Sequence, residues 1–222
     1  MKVYADGADI DQMLRADVDG FTTNPTLARQ AGVTDYLLWA KNVTAQIARP
    51  VSFEVTADDE AGMERQAHTL AGLGPNVYVK IPVTNTRGVS LVPLMARLAA
   101  QGVQVNATAI TTYRQAYGAF EALSGAPGVV SVFAGRIADT GVDPVPVVRA
   151  LKRRVPPNVE LLWASAREVL NIVQAEASGC DIITLTPALL AKRSWLGRDL
   201  ERVSLDTVCM FRDDAVVAGF DW

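Results

Sequence analysis

The chain has 222 residues, half of them hydrophobic and a fifth charged, with a formal net charge of -3 at pH 7. That composition suits a folded domain with a sizeable core and excludes a disordered or fibrous chain. It also gives no broad basic surface for nucleic acid or anionic lipid: the longest basic cluster, Lys152-Arg153-Arg154, is short and reads as a solvated helix end.

Eight apolar runs of strand character follow one another along the chain. The first, residues 3–6, ends in Asp6; with an acid so early, this segment reads as a strand and not as a secretory leader. The second, 20–23, delivers Thr22-Thr23-Asn24. The third, 51–55, carries Glu54. A helical segment over 56–72 opens with Thr56-Ala57-Asp58-Asp59, a cap followed by first-turn acids, and contains His68, the single histidine. The fourth run, 77–81, is Val77-Tyr78-Val79-Lys80-Ile81, and the helical segment 87–101 behind it stops at Gly102. The fifth, 103–108, carries Asn106 and Thr108 and is followed by helical 111–124. The sixth, 129–133, includes Ser131 and Phe133 and leads to Arg136, with helical 144–154 after it. The seventh, 160–164, leads to Ser165 and Arg167, with helical 167–178 after it. The eighth is 182–185.

Strands alternating with helices predict an α/β protein, a single (β/α)8 TIM barrel. A doubly wound open sheet is the alternative, but no GxGxxG turn follows any strand. No proline- or glycine-rich linker divides the chain, so residues 1–222 are expected to form one domain with a helical extension over about 194–222. Leu196, Leu200, Val203 and Met210 fall on one side of that extension, which would cover the barrel mouth, pack on its own barrel or dock on a neighbouring subunit. No apolar segment approaches the roughly 20 residues that span a bilayer. Cys180 and Cys209 have no CxxC spacing and read as reduced, buried thiols of a cytoplasmic protein. With one histidine, neither a Ser-His-Asp triad nor a multi-histidine metal site is expected.

Lys80 is the most informative residue. A lysine inside an apolar strand either snorkels to water or has its charge compensated. Burial disfavours the ammonium and leaves more free amine, the nucleophile of Schiff-base chemistry. In a barrel, residues at the carboxyl ends of strands share one face, and seven of the eight strands here bring polar groups to it. The set fits one chemistry. Lys80 is the amine, Asp6 and Glu54 are carboxylates for proton transfer, and Thr108 is placed to hold a water. Asn24 and Asn106 suit sugar hydroxyls, and Arg136 and Arg167 suit an anionic tail. The protonated imine is the electron sink, so no metal and no cofactor is needed.

Six segments resemble the transaldolase family, and within it the short, fructose-6-phosphate aldolase-like subfamily. They are Gly20-Phe21-Thr22-Thr23-Asn24-Pro25-Thr26, Val51-Ser52-Phe53-Glu54-Val55, Val79-Lys80-Ile81-Pro82, Val105-Asn106-Ala107-Thr108, Ser131-Val132-Phe133-Ala134-Gly135-Arg136-Ile137 and Ala164-Ser165-Ala166-Arg167. They stand in the family's order within residues 3–190. The resemblance implies a class I mechanism with Lys80 as the Schiff-base lysine, and Asp6, Glu54 and Thr108 as the acid/base set with its water. It implies substrate contacts from Thr22, Asn24, Asn106, Ser131 and Phe133, with Arg136, Ser165 and Arg167 holding the phosphate. The expected partner is a sugar phosphate or a similar anionic ketose or aldose. The family's short members also imply a homo-oligomer, a pentamer or decamer built through the C-terminal helix.

Glu54 and Phe133 match the family's transferases, whereas its fructose-6-phosphate aldolases resemble one another in having glutamine and tyrosine there. A phenylalanine cannot protonate the bound carbanion, which favours transfer of a dihydroxyacetone unit over simple cleavage. Val132, Ala134 and the stretch Ile137-Ala138-Asp139-Thr140-Gly141 depart from the common pattern and leave the sugar open, an unusual one such as a sulfosugar included. An aldolase-type lyase is the alternative activity. A non-catalytic sugar-phosphate binder on the same barrel would lack the nucleophile or its acids, and all are present. A deoxyribose-phosphate-type aldolase would need a second lysine on a neighbouring strand, and the sequence offers none.

Overall fold

A computed structural model describes residues 1–220. Eight strands, β1 (Lys2–Asp6), β2 (Gly20–Thr22), β3 (Val51–Glu54), β4 (Val77–Pro82), β5 (Val105–Ile110), β6 (Gly128–Val132), β7 (Val159–Trp163) and β8 (Ile182–Leu185), form a closed parallel barrel in chain order. Pairing of β8 back onto β1 closes it and rules out the open sheet. Between and after the strands lie α1 (Ile10–Arg15), α2 (Pro25–Gln30), α3 (Tyr36–Gln46), α4 (Glu60–Ala71), α5 (Val92–Ala100), α6 (Tyr113–Leu123), α7 (Ala134–Ala138), α8 (Pro144–Lys152), α9 (Leu170–Ser178), α10 (Pro187–Lys192) and α11 (Leu200–Val217). This is the predicted (β/α)8 barrel with an added C-terminal helix.

Two-residue alternation sorts each strand. Val51 and Phe53, Val77, Val79 and Ile81, or Leu161 and Trp163 face the helices and join one large apolar cluster. Tyr4, Val129, Leu162, Ala164 and Ile182, with Tyr78 and Phe133 against them, fill the barrel itself. Gly20 makes room for that plug: a Cβ there would sit 2.6 Å from the Tyr4 ring. Toward the carboxyl ends the inward positions turn polar. Register sets Asp6 beside Thr22 and Thr22 beside Ser52; it also sets Glu54 beside Lys80 and Lys80 beside Asn106. In β5 the register against β6 slips between Ala107 and Ile110, with Ala109 at φ 61°. The irregularity keeps Thr108 inward and returns Ile110 to the outer core.

Several helix starts differ from the sequence reading because local side-chain bonds compete with the helix. The segment expected from residue 56 starts at Glu60. Asp59, not Thr56, is its cap and accepts from the Gly62 N–H, while the Thr56 and Ala57 N–H groups bond to Gln66 Oε1. The segment expected from 87 starts at Val92, after a turn in which Asn85 Oδ1 accepts from the Arg87 and Val89 N–H groups. The one expected from 167 starts at Leu170, because Asn171 Oδ1 takes the Arg167 and Glu168 N–H groups. Helices α1, α2, α7 and α10 are five or six residues long, too short to print a helical period.

The tail is helical as expected, but none of the residues of α11 is buried, so Cys209 is an exposed thiol and not the buried one expected, while Cys180 is buried. Leu196, Leu200 and Met210 of the anticipated apolar stripe are exposed, Leu200 to 81%. The stripe is therefore not covered by its own barrel. Asp221 and Trp222, the last two residues of the expected extension, lie outside the described residues. Among the described residues no helix is long and apolar enough to cross a membrane.

Candidate active site

Lys80 lies on β4, inward and 5% exposed. Its Nζ donates to the Thr23 carbonyl at 2.7 Å and pairs with Glu54 Oε2 at 2.9 Å. The buried charge is thus compensated from two sides, by the turn after β2 and the last residue of β3, and it does not snorkel to water.

Asp6 ends β1 at the same level. Burial pushes its carboxyl above the usual range, and the Lys80 charge and the Thr22 hydroxyl draw it partly back. Thr22 Oγ1 donates to Asp6 Oδ1 at 2.8 Å and lies 2.5 Å from Thr184 Oγ1. With Thr22 donating to the carboxylate, the Thr184 hydroxyl donates to Thr22. Thr184 on β8 was not foreseen. It supplies the polar group of the one strand that lacked one, and its signal was its position two residues beyond the inward Ile182.

On the other side of Lys80, Asn106 is fully buried. Its Nδ2 donates to Ser52 Oγ at 3.0 Å, and its Oδ1 accepts from Ser131 Oγ at 2.7 Å. Ser52, also unforeseen, completes this chain. Thr108 Oγ1 is buried with no hydrogen-bond partner among the described residues, a hydroxyl free to hold a small polar molecule. Asn24 caps α2, its Oδ1 accepting from the Leu27 N–H at 3.0 Å, which leaves its amide nitrogen for another partner. Phe133 is half-buried against the apolar filling of the barrel.

The expected anion-binding residues gather at the ends of β6 and β7. Arg136 is on α7 and exposed; Arg167 is exposed and its Nη2 pairs with Asp139 Oδ2 at 2.6 Å. Ser165 has φ 62°, in the left-handed region. Gly135 explains how α7 reaches this turn: a Cβ on it would lie 1.6 Å from the Ser165 carbonyl oxygen. Only glycine allows that approach, which brings Arg136 onto the strand end that carries Ser165.

A cleft of about 460 Å3 between α3 and α4 reaches Glu54 and Tyr36. A larger hollow, about 570 Å3, lies between α1 and α10 and is lined by none of these residues. Size alone would have pointed away from the lysine; the polar convergence points to it.

The arrangement can hold an amine, move protons on both sides of it and meet an anion at the rim. The chain matches the model of the transaldolase/fructose-6-phosphate aldolase family over residues 3–215. It is 35% identical over 193 residues to a protein of Hydrogenobaculum sp. named as a probable transaldolase, covering 83% of this chain and 85% of that one. A protein of Novosphingobium aromaticivorans with the same name is 34% identical over 198 residues, covering 86% and 87%. Among solved structures, a designed, cube-shaped, highly porous protein cage made by fusing symmetric oligomeric domains is similar in fold. Its TM-score is 0.59 at 14% identity, and the match covers 99% of this chain and 82% of that one.

Proposed function

Since the chain belongs to the transaldolase/fructose-6-phosphate aldolase family, we propose that it is a class I transaldolase. It carries a dihydroxyacetone unit on Lys80 from a ketose phosphate such as fructose 6-phosphate to an aldose acceptor. The observation that carries this reading is a buried lysine bracketed by the Thr23 carbonyl and the Glu54 carboxylate.

The Lys80 ammonium gives a proton to Glu54, and the free amine adds to the ketose carbonyl carbon. The carbinolamine oxygen takes a proton and leaves as water, which the Thr108 hydroxyl is placed to hold. Asp6 removes the proton of the hydroxyl on the fourth carbon. The bond between the third and fourth carbons breaks, its electron pair passes into the iminium, and the aldehyde departs. A carboxyl with raised proton affinity suits this base, because it sits nearer to neutral pH than an ordinary aspartate. The resulting enamine attacks an acceptor aldehyde, Asp6 returns its proton to the new alkoxide, and water releases the product from Lys80. Phe133 has no hydroxyl with which to protonate the enamine, which favours transfer over release. Asn24, Asn106, Ser131 and Thr22 orient the three-carbon unit, and Arg136, Ser165 and Arg167 take the anionic tail.

The reading extends to a homo-oligomer, a pentamer or decamer in the cytoplasm. The uncovered apolar surface of α11 supports the first, and two free cysteines support the second. The test of the chemistry is incubation with fructose 6-phosphate, borohydride reduction and peptide mass mapping. A reduced three-carbon adduct on Lys80 is expected, with turnover that depends on an added aldose. An unmodified Lys80, or turnover as fast without acceptor as with it, would refute the respective part.

A further inference from the structure

The catalytic proposal leaves Tyr36 without a task, yet its position is unusual. Strand β2 pairs with β3 only through Phe21 and Thr22, then turns into the cap of α2. Glu54, two residues further along β3, therefore has no β2 residue to receive its backbone N–H. The Tyr36 hydroxyl of α3 fills that place and accepts this N–H at 3.0 Å. The Thr23 side chain lies beside the same hydroxyl. Thr23 is further tied to β3, its Oγ1 donating to the Ser52 carbonyl at 2.8 Å.

Glu54 and Thr23 are the two residues that receive the Lys80 Nζ, one through its carboxylate and the other through its carbonyl. We propose that Tyr36 is a positioning residue for Lys80, its hydroxyl holding the backbone of Glu54 next to the Thr23 turn, so that the carboxylate and the carbonyl keep the lysine amine between them. The inference rests on the Schiff-base reading of Lys80. The tyrosine is itself fixed. Its ring packs on Trp39 at 5.3 Å between centroids, Trp39 meets Phe53 edge-on at 5.4 Å, and Trp39 Nε1 donates to the Ala8 carbonyl at 3.0 Å. Ala8 follows Asp6 by two residues, so one face of α3 supports the ends of β1 and β3, which carry the two carboxylates. Tyr36 also borders the 460 Å3 cleft that reaches Glu54, so its hydroxyl, rather than a strand, closes the barrel wall there. Groups that fix the direction of a reacting side chain affect rate much more than they affect binding.

The test follows the rate and the final amount of borohydride-trapped Lys80 in the full chain with fructose 6-phosphate. Tyr36→Phe keeps the stacked ring and removes the hydroxyl. The expected result is a full final yield of Lys80 adduct reached about tenfold more slowly, with the donor KM within about twofold of wild type. A fraction of misfolded enzyme would lower the yield and leave the rate, so yield loss at the wild-type rate overturns the proposal, as does an unchanged rate. Thr23→Val removes the hydroxyl that ties the turn beside Tyr36 to the Ser52 carbonyl and is expected to slow trapping likewise; a wild-type rate there counts against the proposal even if Tyr36→Phe does not fold. No adduct in the wild-type chain would instead refute the Schiff-base reading itself, whatever the tyrosine variants do.

Discussion

Gly135→Ala is the sharpest perturbation the structure offers. The new Cβ would lie 1.6 Å from the Ser165 carbonyl oxygen and 3.2 Å from the Arg167 side chain. An ordinary contact needs roughly twice the first distance, so α7 and the Ser165 turn must part by well over 1 Å. The obstruction is backbone and cannot rotate away. Ser165 already holds a left-handed φ, and the flanking Ala134 is buried, so relaxation is expensive on both sides. Overpacking of this kind costs about 2–4 kcal/mol, which for a domain of this size lowers Tm by roughly 5–12 °C. The displacement falls on the rim that carries Arg136, Ser165 and Arg167 and leaves β3 and β4 alone. The KM of fructose 6-phosphate is therefore expected to rise at least about tenfold, while dihydroxyacetone, which has no anionic tail, is still trapped on Lys80 at close to the wild-type rate. Thermal melting by circular dichroism and borohydride trapping with the two donors measure both halves. A variant that melts with wild type and keeps its fructose 6-phosphate KM would show that the close approach is not what positions the rim.

Three further outcomes follow from the same geometry. The Asp6 carboxyl has its proton affinity raised in the folded chain. The folded state therefore loses stability as pH rises from the unfolded aspartate value, about 3.9, through the higher folded value, and stays at that lower level above it. Asp6→Asn is thus expected to raise Tm at pH 8 but hardly at pH 3.5, while lowering turnover by about two to four orders of magnitude; an equal Tm gain at both pH values would contradict the assignment. Asp139→Asn removes the ion pair that holds the exposed Arg167 guanidinium, and the freed cation is expected to lower the KM of a phosphorylated donor by up to about fivefold, with an unchanged or higher KM counting against Arg167 as an anion ligand. Phe211→Glu places a charge at a 63% exposed position of α11 and is expected to shift an oligomer toward smaller species in light scattering with the barrel still folded; a wild-type chain that scatters as a monomer would refute the oligomer.

The barrel and the gathering of polar side chains at the carboxyl ends of its strands were legible in the order of the residues. Alternating strands and helices require a sheet whose strands are parallel, and eight of them can close; the strand cores at 51–55, 77–81 and 182–185 stand within a residue of their observed ends. A two-residue period also settles which side chains of a strand face inward, so Asp6, Glu54, Lys80, Asn106 and Thr108 could be read as one set. The rest depends on neighbours distant along the chain. Whether Lys80 snorkels or is held depends on the Thr23 carbonyl, 57 residues away. The places of Tyr36, Ser52 and Thr184 depend on strand register and on β2 ending early, which no local pattern encodes. The helix starts moved because Asn85, Gln66 and Asn171 offered side-chain oxygens to backbone N–H groups, a competition settled only when the turns are in place. The need for glycine at 135 came from the Ser165 carbonyl in the turn after β7, since a steric contact between two backbones exists only once tertiary packing has brought them together.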